Sequence, residues 1–205
     1  MNIEVKKKTK HKNPISRLFA KVVLKLIGWK VDFKIPEEKK FLLISEPHTS
    51  NWDLPLMLII SIVIGRQLNW AAKDNLFKGL HGKYLRWLGG IPVNRRSRTK
   101  FTDQIIEIFN KSEKLIFVIA PSGTRSFTEF WKSGFYHIAN GAKIPIAFGF
   151  LDYGNKVGGI KPGFLPSGNM EEDFKLIRKF YDGMKGKIPE NFGPIRFQES
   201  KEKDS

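Results

Sequence analysis

The sequence predicts a single α/β domain, in which helices flank a mixed, mostly parallel sheet and an amphipathic helix lies at the N-terminus. The chain has 205 residues, which suffices for one well-filled core. It is 41% hydrophobic and 27% charged, a composition typical of a globular protein. Short apolar runs alternate with segments of helical period after residue 36. Strands separated by helices favour a mostly parallel sheet.

The first predicted helix begins at Pro14 and ends near Gly28. Its apolar residues recur every three or four positions, whereas its basic residues line another side: Ile15, Leu18, Phe19, Val22, Val23 and Leu26 against Arg17, Lys21 and Lys25. Such a helix, assigned here to residues 14–29, either lies in a membrane interface or packs on its own domain. Residues 1–13 and 199–205 are predicted to be disordered tails, the first basic and the second charged.

The remaining elements follow in order within residues 30–198. A continuous apolar run predicts a strand at 41–45, and an eleven-residue run at 54–64 predicts a buried helix that is too short to span a bilayer. No transmembrane helix and no secretory signal are predicted. Further strands are expected at 70–72, 91–93, 115–120 and 144–150, and further helices at 75–88, 102–110, 134–140 and 171–184. Residues 155–168 are rich in glycine and proline and receive no element.

The charge favours a polyanionic partner. The chain has 36 basic and 20 acidic residues, for a net charge of +16, and residues 1–40 alone carry +8. A nucleic acid, an anionic membrane face and a phosphate-bearing substrate all fit this balance. Cysteine is absent, which excludes disulfides, thiolate metal sites and cysteine nucleophiles. No His/Asp/Glu cluster has metal-ligand spacing, so no metal is expected.

The first candidate site residues are His48 and Asp53, in the segment that joins the strand at 41–45 to the next helix. Ligands of open α/β sheets usually bind at the carboxyl ends of strands. Asp53 can accept a hydrogen bond from the imidazole, which fixes the tautomer and leaves the other ring nitrogen free to take a proton. Alternatively, Asn51 or Asp53 only caps the helix, and His48 lies in an ordinary turn.

Two further segments follow strands and could hold an anion. Arg95 comes directly after the strand at 91–93, and an arginine suits a phosphate, although solvated surface arginines are also common. Ser122, Gly123, Thr124 and Arg125 follow the strand at 115–120 and could cradle an anion, or form only a structural turn.

Taken together and in this order, these motifs resemble those of the glycerolipid acyltransferase family, the lysophosphatidate-acyltransferase-like enzymes with an HX4D box. His48 and Asp53 match the box, and Arg95 matches the arginine of the second motif. Residues 121–126 resemble the third motif, Pro-Glu-Gly-Thr-Arg-Ser, and residues 144–146 resemble the apolar-Pro-apolar fourth. The resemblance covers about residues 14–190.

The resemblance implies an O-acyltransferase that moves a fatty acyl group from acyl-CoA or acyl-ACP to the free hydroxyl of a lysophospholipid, with 1-acyl-sn-glycerol-3-phosphate as the default acceptor of phospholipid biosynthesis. His48 would be the general base and Asp53 its orienter. Arg95 and residues 122–125 would hold the acceptor's phosphate, and N–H groups near Gly123 would face the oxyanion. No cofactor is expected. The enzyme would be peripheral, on the cytoplasmic face of the cell membrane and against anionic lipid, with acyl carrier protein as one conceivable partner.

One position departs from the family pattern. Ser122 stands where the family usually has a glutamate, which is associated with the acceptor's glycerol phosphate. This leaves a catalytically silent lipid-binding relative as an alternative. A basic nucleic-acid-binding module is a further alternative on charge alone, but the sequence has no zinc-finger spacing, RNP-like strand or helix-turn-helix pattern, so no nucleic-acid partner is expected.

Overall fold

The computed structural model describes residues 13–93 and 98–197 of the chain. The tail predicted at 1–13 lies outside these ranges except for Asn13, and the tail at 199–205 lies outside them entirely. The helices are α1 (Pro14–Leu26), α2 (Asp53–Ile64), α3 (Gly79–Trp87), α4 (Arg98–Lys111), α5 (Gly134–Ala142) and α6 (Met170–Tyr181). The strands are β1 (Lys30–Phe33), β2 (Lys40–Glu46), β3 (Asn69–Lys73), β4 (Gly90–Val93), β5 (Leu115–Ile119), β6 (Ile146–Asp152) and β7 (Val157–Phe164).

The strands form one sheet in the order β1-β7-β6-β2-β5-β3-β4. The five strands from β6 to β4 are mutually parallel. The hairpin partner β7 runs antiparallel to β6, and β1 pairs in parallel with β7 at the edge. This confirms the predicted mixed, mostly parallel sheet. Because β2 lies between β5 and β6, the segments that follow these three strands meet at one edge.

Helices cover both faces of the sheet. The larger core lies under α4, α5 and α6, and it contains fully buried aromatic side chains from each of these helices: Phe109, Phe135 and Phe174. The smaller core lies under α1 and α2 on the other face. Tyr181, the last residue of α6, donates to the carbonyl oxygens of Ile44 and Gly149. This contact ties the larger core to the centre of the sheet.

The structure adds two strands that the sequence analysis did not predict. β1 is mostly exposed, so it lacks the apolar signal of a buried strand. β7 contains glycine and proline, which ordinarily argue against a strand. The reason for the glycine is steric, because a Cβ at Gly159 would overlap the carbonyl group of Asp32 in β1. Close approach of two backbones therefore produces a composition that resembles a loop.

The helix predicted at 75–88 is divided in two. Residues Asp74–Phe77 form a 3₁₀ turn, and α3 begins only at Gly79, whose φ is +59°. The turn folds back closely on the helix: a Cβ at Gly82 would overlap the backbone of Phe77. The other predicted helices and strands are present with shifted ends; the strand predicted at 144–150, for example, begins at Ile146.

The apolar residues of α1 face two ways. Asn13 caps the helix by accepting a hydrogen bond from the Ile15 N–H at 2.9 Å. Ala20 and Leu24 are buried against α2. In contrast, large side chains on the outer side are exposed: Ile15, Leu18, Phe19, Val22 and Leu26. The domain thus covers only part of the apolar surface of α1.

No helix in the described ranges is both long enough and apolar enough to cross a bilayer.

Candidate active site

The predicted site residues after β2 and β5 lie at the carboxyl edge of the sheet. His48 lies in the segment between β2 and α2, Asp53 is the first residue of α2, and Ser122 follows β5. Since β2 and β5 are paired neighbours, the two segments are adjacent. Residues that follow β6, the other neighbour of β2, complete the same edge. This is where open α/β sheets place their ligands.

His48 and Asp53 form a direct pair. Nδ1 of His48 lies 2.9 Å from Oδ2 of Asp53. The same oxygen accepts the main-chain N–H groups of Thr49 at 3.0 Å and Ser50 at 2.9 Å. The imidazole remains 31% exposed, whereas the carboxylate is 6% exposed. Asp53 therefore folds back on the turn that carries His48, while the rest of the ring can be reached from solvent.

The state of Asp53 defines the tautomer of His48. Burial alone would raise the pKa of the Asp53 carboxyl, but hydrogen bonds from His48, Ser50 and Tyr153 outweigh it and hold this pKa below its usual range. An ionised carboxylate can only accept hydrogen bonds, so the proton of a neutral His48 ring lies on Nδ1. Nε2 then has a free lone pair. This arrangement can act as a general base.

Tyr153 is a third member of the site that the sequence analysis missed. It follows β6, and its hydroxyl donates a hydrogen bond of 2.7 Å to Oδ1 of Asp53. Burial and the neighbouring Asp53 carboxylate raise the pKa of this hydroxyl, so Tyr153 keeps its proton and stays a donor. The ring of Trp29 packs edge-on against the Tyr153 ring at 4.9 Å between centroids.

Glu46, the last residue of β2, is a second carboxylate that the sequence analysis missed. It is 1% exposed. Its Oε2 accepts the main-chain N–H of His48 at 2.7 Å, and its Oε1 accepts that of Ser122 at 2.9 Å. Burial raises the pKa of Glu46, against the opposing effect of these hydrogen bonds. One side chain thus joins the histidine segment to the segment after β5.

The segment after β5 forms a tight turn. Ser122 is buried, and its hydroxyl donates to the Thr124 carbonyl at 3.1 Å. Gly123 adopts a φ of +67°, which favours glycine. A Cβ there would come within 2.5 Å of Nζ of Lys132, so the ammonium group lies against this glycine. Arg125 is exposed. The turn is therefore bordered by two cations, of which Lys132 was missed.

The N–H groups suggested for an oxyanion are already used. Ser122 N donates to Glu46, and Gly123 N donates to the Ala120 carbonyl at 2.9 Å. The expectation that N–H groups near Gly123 face the oxyanion is therefore wrong for these two groups, because both already donate to acceptors within the protein. Arg95 lies outside the described residues. Within the described ranges, no group of three or more acidic or histidine side chains could hold a metal ion.

A segment after α6 covers the histidine turn. The Ile188 N–H donates to the Thr49 hydroxyl at 3.2 Å, and a Cβ at Gly186 would overlap the Thr49 side chain. Lys187 places its ammonium 4.8 Å from the ring centre of the exposed Trp52, a cation–π contact. The mouth of the site therefore combines an aromatic ring with a cation.

Comparisons with known proteins identify a family and a similar fold. A family model described as Acyltransferase matches residues 30–147. Among solved structures, the chain is similar to the crystal structure of the 1-acyl-sn-glycerophosphate (LPA) acyltransferase PlsC from Thermotoga maritima. The TM-score is 0.52 and the identity 20%, over 81% of this chain and 73% of that chain. No functionally curated protein matches the sequence.

Proposed function

The chain belongs to the acyltransferase family of enzymes, and on this basis we propose that it moves a fatty acyl group from an acyl thioester to the free hydroxyl of a lysophospholipid. The acceptor is 1-acyl-sn-glycerol-3-phosphate, and the donor is acyl-CoA or acyl-ACP. The product would be a diacylated phospholipid precursor. The observation that carries the proposal is the pair of His48 and Asp53, at 2.9 Å, on the ligand-binding edge of the sheet.

His48 acts as the general base in this proposal. Nε2 of His48 accepts the proton of the acceptor hydroxyl while the hydroxyl oxygen attacks the thioester carbonyl carbon. The tetrahedral intermediate then expels the thiolate, and the imidazolium returns its proton to sulfur. One ester bond forms and one thioester bond breaks, with no acyl-enzyme and no cofactor. Asp53 orients the ring and stabilises the imidazolium.

The turn after β5 binds the acceptor's phosphate. Lys132 supplies positive charge beside Gly123, the exposed Arg125 supplies more two residues further on, and Arg95 is assigned a further contact. Ser122 and Thr124 shape the turn, through the hydrogen bond between the Ser122 hydroxyl and the Thr124 carbonyl. Glu46 keeps this turn next to His48. The phosphate and the attacking hydroxyl belong to one molecule and would thus be held by two segments that Glu46 joins.

The enzyme works at a membrane surface in this proposal, on the cytoplasmic face of the cell membrane. A water-soluble thioester must meet an acceptor that resides in a bilayer. The exposed apolar side chains of α1, among them Leu18, Phe19 and Leu26, would enter the interface, while Lys21 and Lys25 meet anionic lipid. Each basic residue near an anionic leaflet contributes about 1 kcal/mol.

The test is thiol release from a long-chain acyl-CoA, with and without lysophosphatidate. The comparison is between the wild type, His48→Ala and the control His137→Ala, in which an exposed histidine on α5 is removed. Acceptor-dependent release should fall about 10²–10⁴-fold in His48→Ala and stay unchanged in the control. Equal release by the wild type and His48→Ala would refute the role of His48.

A wild type that releases no thiol calls for other acceptors and acyl-ACP as the donor. Silence across a panel of lysolipids with both donors, together with lysolipid binding, would favour the catalytically silent relative. The observation that favours this second candidate is Ser122 in place of the family's glutamate. A gel shift with oligonucleotides at physiological salt would instead favour nucleic-acid binding.

A further inference from the structure

A second apolar patch lies on the 3₁₀ turn and α3, far along the chain from α1. We call it the α3 patch and define it by Leu76, Leu80, Tyr84 and Trp87. Their exposed fractions are 47%, 82%, 56% and 52%. The spacing of four and three residues places Leu80, Tyr84 and Trp87 along one side of α3, and Leu76 lies in the 3₁₀ turn before it. The rings of Tyr84 and Trp87 stack with centroids 5.7 Å apart. Large apolar side chains at this exposure, adjacent to one another, mark an interaction surface.

The charges around the α3 patch are mainly positive. Four exposed cations belong to the same stretch of chain: Lys73, Lys78, Lys83 and Arg86. Asp74 is the one acidic residue between positions 73 and 87. Leucine beside tyrosine and tryptophan, with a border of lysine and arginine, is the composition of segments that lie in a membrane interface. A positive border also complements the charge of an anionic leaflet.

The position of α3 adds an independent argument. α2 joins β2 to β3, and α3 joins β3 to β4 in the same direction across the sheet. Right-handed crossovers therefore place both helices on the face that also carries α1. α2 has no charged residue after Asp53. On this face of the sheet, α1 and α3 thus both expose large apolar side chains.

We propose that the α3 patch docks on the surface of an anionic lipid bilayer, as a second anchor besides α1. The inference rests on the proposed function insofar as it supplies a reason for lipid contact. Two anchors on one side of the sheet fix the orientation of the protein, whereas a single helix leaves it free to rotate about that helix. The carboxyl edge, where α3 and α2 both begin, is then held at a constant angle to the membrane.

The test uses the full chain and vesicles without any substrate. Leu76→Gln/Leu80→Gln is compared with the matched control Leu165→Gln/Leu176→Gln, whose leucines are 62% and 48% exposed and lie after β7 and on α6. Vesicles of phosphatidylcholine with phosphatidylglycerol should bind the patch variant at least about ten-fold more weakly than the wild type, because two leucine side chains lose their burial in lipid. The control should bind like the wild type.

Equal losses in the two variants, or no loss in either, would overturn the proposal. A wild type that light scattering shows to be dimeric, with a monomeric patch variant, would also overturn it in favour of a second copy of the chain. Neither measurement needs catalysis. Vesicle binding through the α3 patch can therefore be found in a protein without acyltransferase activity, and it can be missing in an active protein.

A second readout does not depend on the leucine variants. Trp52→Phe removes the other strongly exposed tryptophan, which is 63% exposed, and leaves Trp87 in place. Brominated phosphatidylcholine in anionic vesicles should quench the tryptophan fluorescence of Trp52→Phe more strongly than that of Trp52→Phe/Trp87→Phe, because only the first variant retains Trp87. Identical quenching of both variants would place Trp87 away from the bilayer and would refute the proposal.

Discussion

The Tyr153 hydroxyl donates a 2.7 Å hydrogen bond to Asp53, across a sequence separation of 100 residues. Oδ2 of Asp53 is hydrogen-bonded to the His48 ring and to the main-chain N–H groups of Thr49 and Ser50 in the same turn. Tyr153 is therefore the contact from outside that turn. The pair of His48 and Asp53 is thus supported by β6, the strand next to its own. A support of this kind fixes the orientation of the carboxylate and, through it, that of the imidazole.

Tyr153→Phe should lower kcat about ten-fold, since a hydrogen bond to a charged group is worth about 1.5–3 kcal/mol. Loss of this donor also raises the pKa of Asp53. Activity requires ionised Asp53, so the acid limb of the pH profile should move to higher pH. Tyr136→Phe is the matched control, because Tyr136 makes a 2.8 Å hydrogen bond to Asp173 away from the site. It should lose stability and keep its pH profile; identical profiles for all three proteins would refute the role of Tyr153.

Glu46→Gln should change how stability depends on pH. The pKa of Glu46 is raised in the folded protein, so the unfolded chain ionises first. Its contribution to stability is complete below the unfolded pKa, near 4.5, and is lost as the pH rises through the folded pKa. The unfolding free energy of the wild type should therefore fall, relative to that of Glu46→Gln, as the pH rises through the folded pKa of Glu46. Urea titrations from pH 4 upward measure it.

The control for Glu46→Gln is Glu172→Gln, which removes an exposed carboxylate that pairs with Lys175 on α6. Its difference from the wild type should stay nearly constant over the same range, because exposed pairs contribute little. A constant difference for Glu46→Gln as well would show that burial leaves the titration of this carboxyl unchanged.

Ser122→Glu should be destabilising by itself and much less so when Glu46 is replaced by serine. The new carboxylate would lie beside Glu46, whose Oε1 is 2.9 Å from Ser122 N, and two buried like charges repel. The double variant restores a single carboxylate between the two segments. We expect a coupling free energy of about 1–3 kcal/mol from the four unfolding curves. Additive effects would indicate that the two positions do not share one carboxylate site.

Lys132→Ala should raise the KM for a phosphate-bearing acceptor about ten-fold and leave kcat nearly unchanged. The ammonium lies against Gly123 in the turn proposed to bind phosphate, so its loss weakens binding before and during reaction alike. Lys175→Ala, which removes an exposed cation on α6, should leave both constants unchanged. An acceptor without phosphate should not distinguish Lys132→Ala from the wild type. A change confined to kcat would contradict phosphate binding by Lys132.

Leu18→Gln/Leu26→Gln should weaken binding to anionic vesicles about ten-fold or more, because both side chains are exposed on the outer side of α1, at 64% and 81%. Thermal stability should not change, since neither side chain is part of the core. Turnover of a short-chain, monomeric acceptor should be retained. If vesicle binding persists in this variant and in the α3 patch variant alike, the membrane surface lies elsewhere on the protein.

The sequence predicted the elements that have strong local signals. The strands β2 and β5 are largely continuous apolar runs, and α2 has no charged residue after Asp53, so each could be predicted from its own residues. β7 could not, because Gly159 admits the backbone of β1, a partner more than a hundred residues away in the chain. Gly159 appears as a loop residue until Asp32 is placed beside it.

The candidate site divides in the same manner. His48 and Asp53 lie five residues apart, so their pairing is a local property that spacing can suggest. Lys132 and Tyr153 enter the site, and Glu46 reaches Ser122, only because of the strand order, which brings the ends of β2, β5 and β6 together. A glutamate at the end of an apolar strand could have drawn attention as a costly buried charge. Nothing in the local sequence identifies its partner as Ser122.

The contacts of Glu46 have a consequence for how substrate binding is organised. Its two oxygens accept hydrogen bonds from the main-chain N–H groups of His48 and Ser122 at 2.7 and 2.9 Å. These bonds come from one of the protein's own side chains, so they hold His48 at a set separation from the turn after β5 and reduce the loop entropy lost on binding the acceptor. The free energy of acceptor binding can then align the acceptor hydroxyl with the carbonyl carbon of the thioester, instead of assembling the pocket around the acceptor.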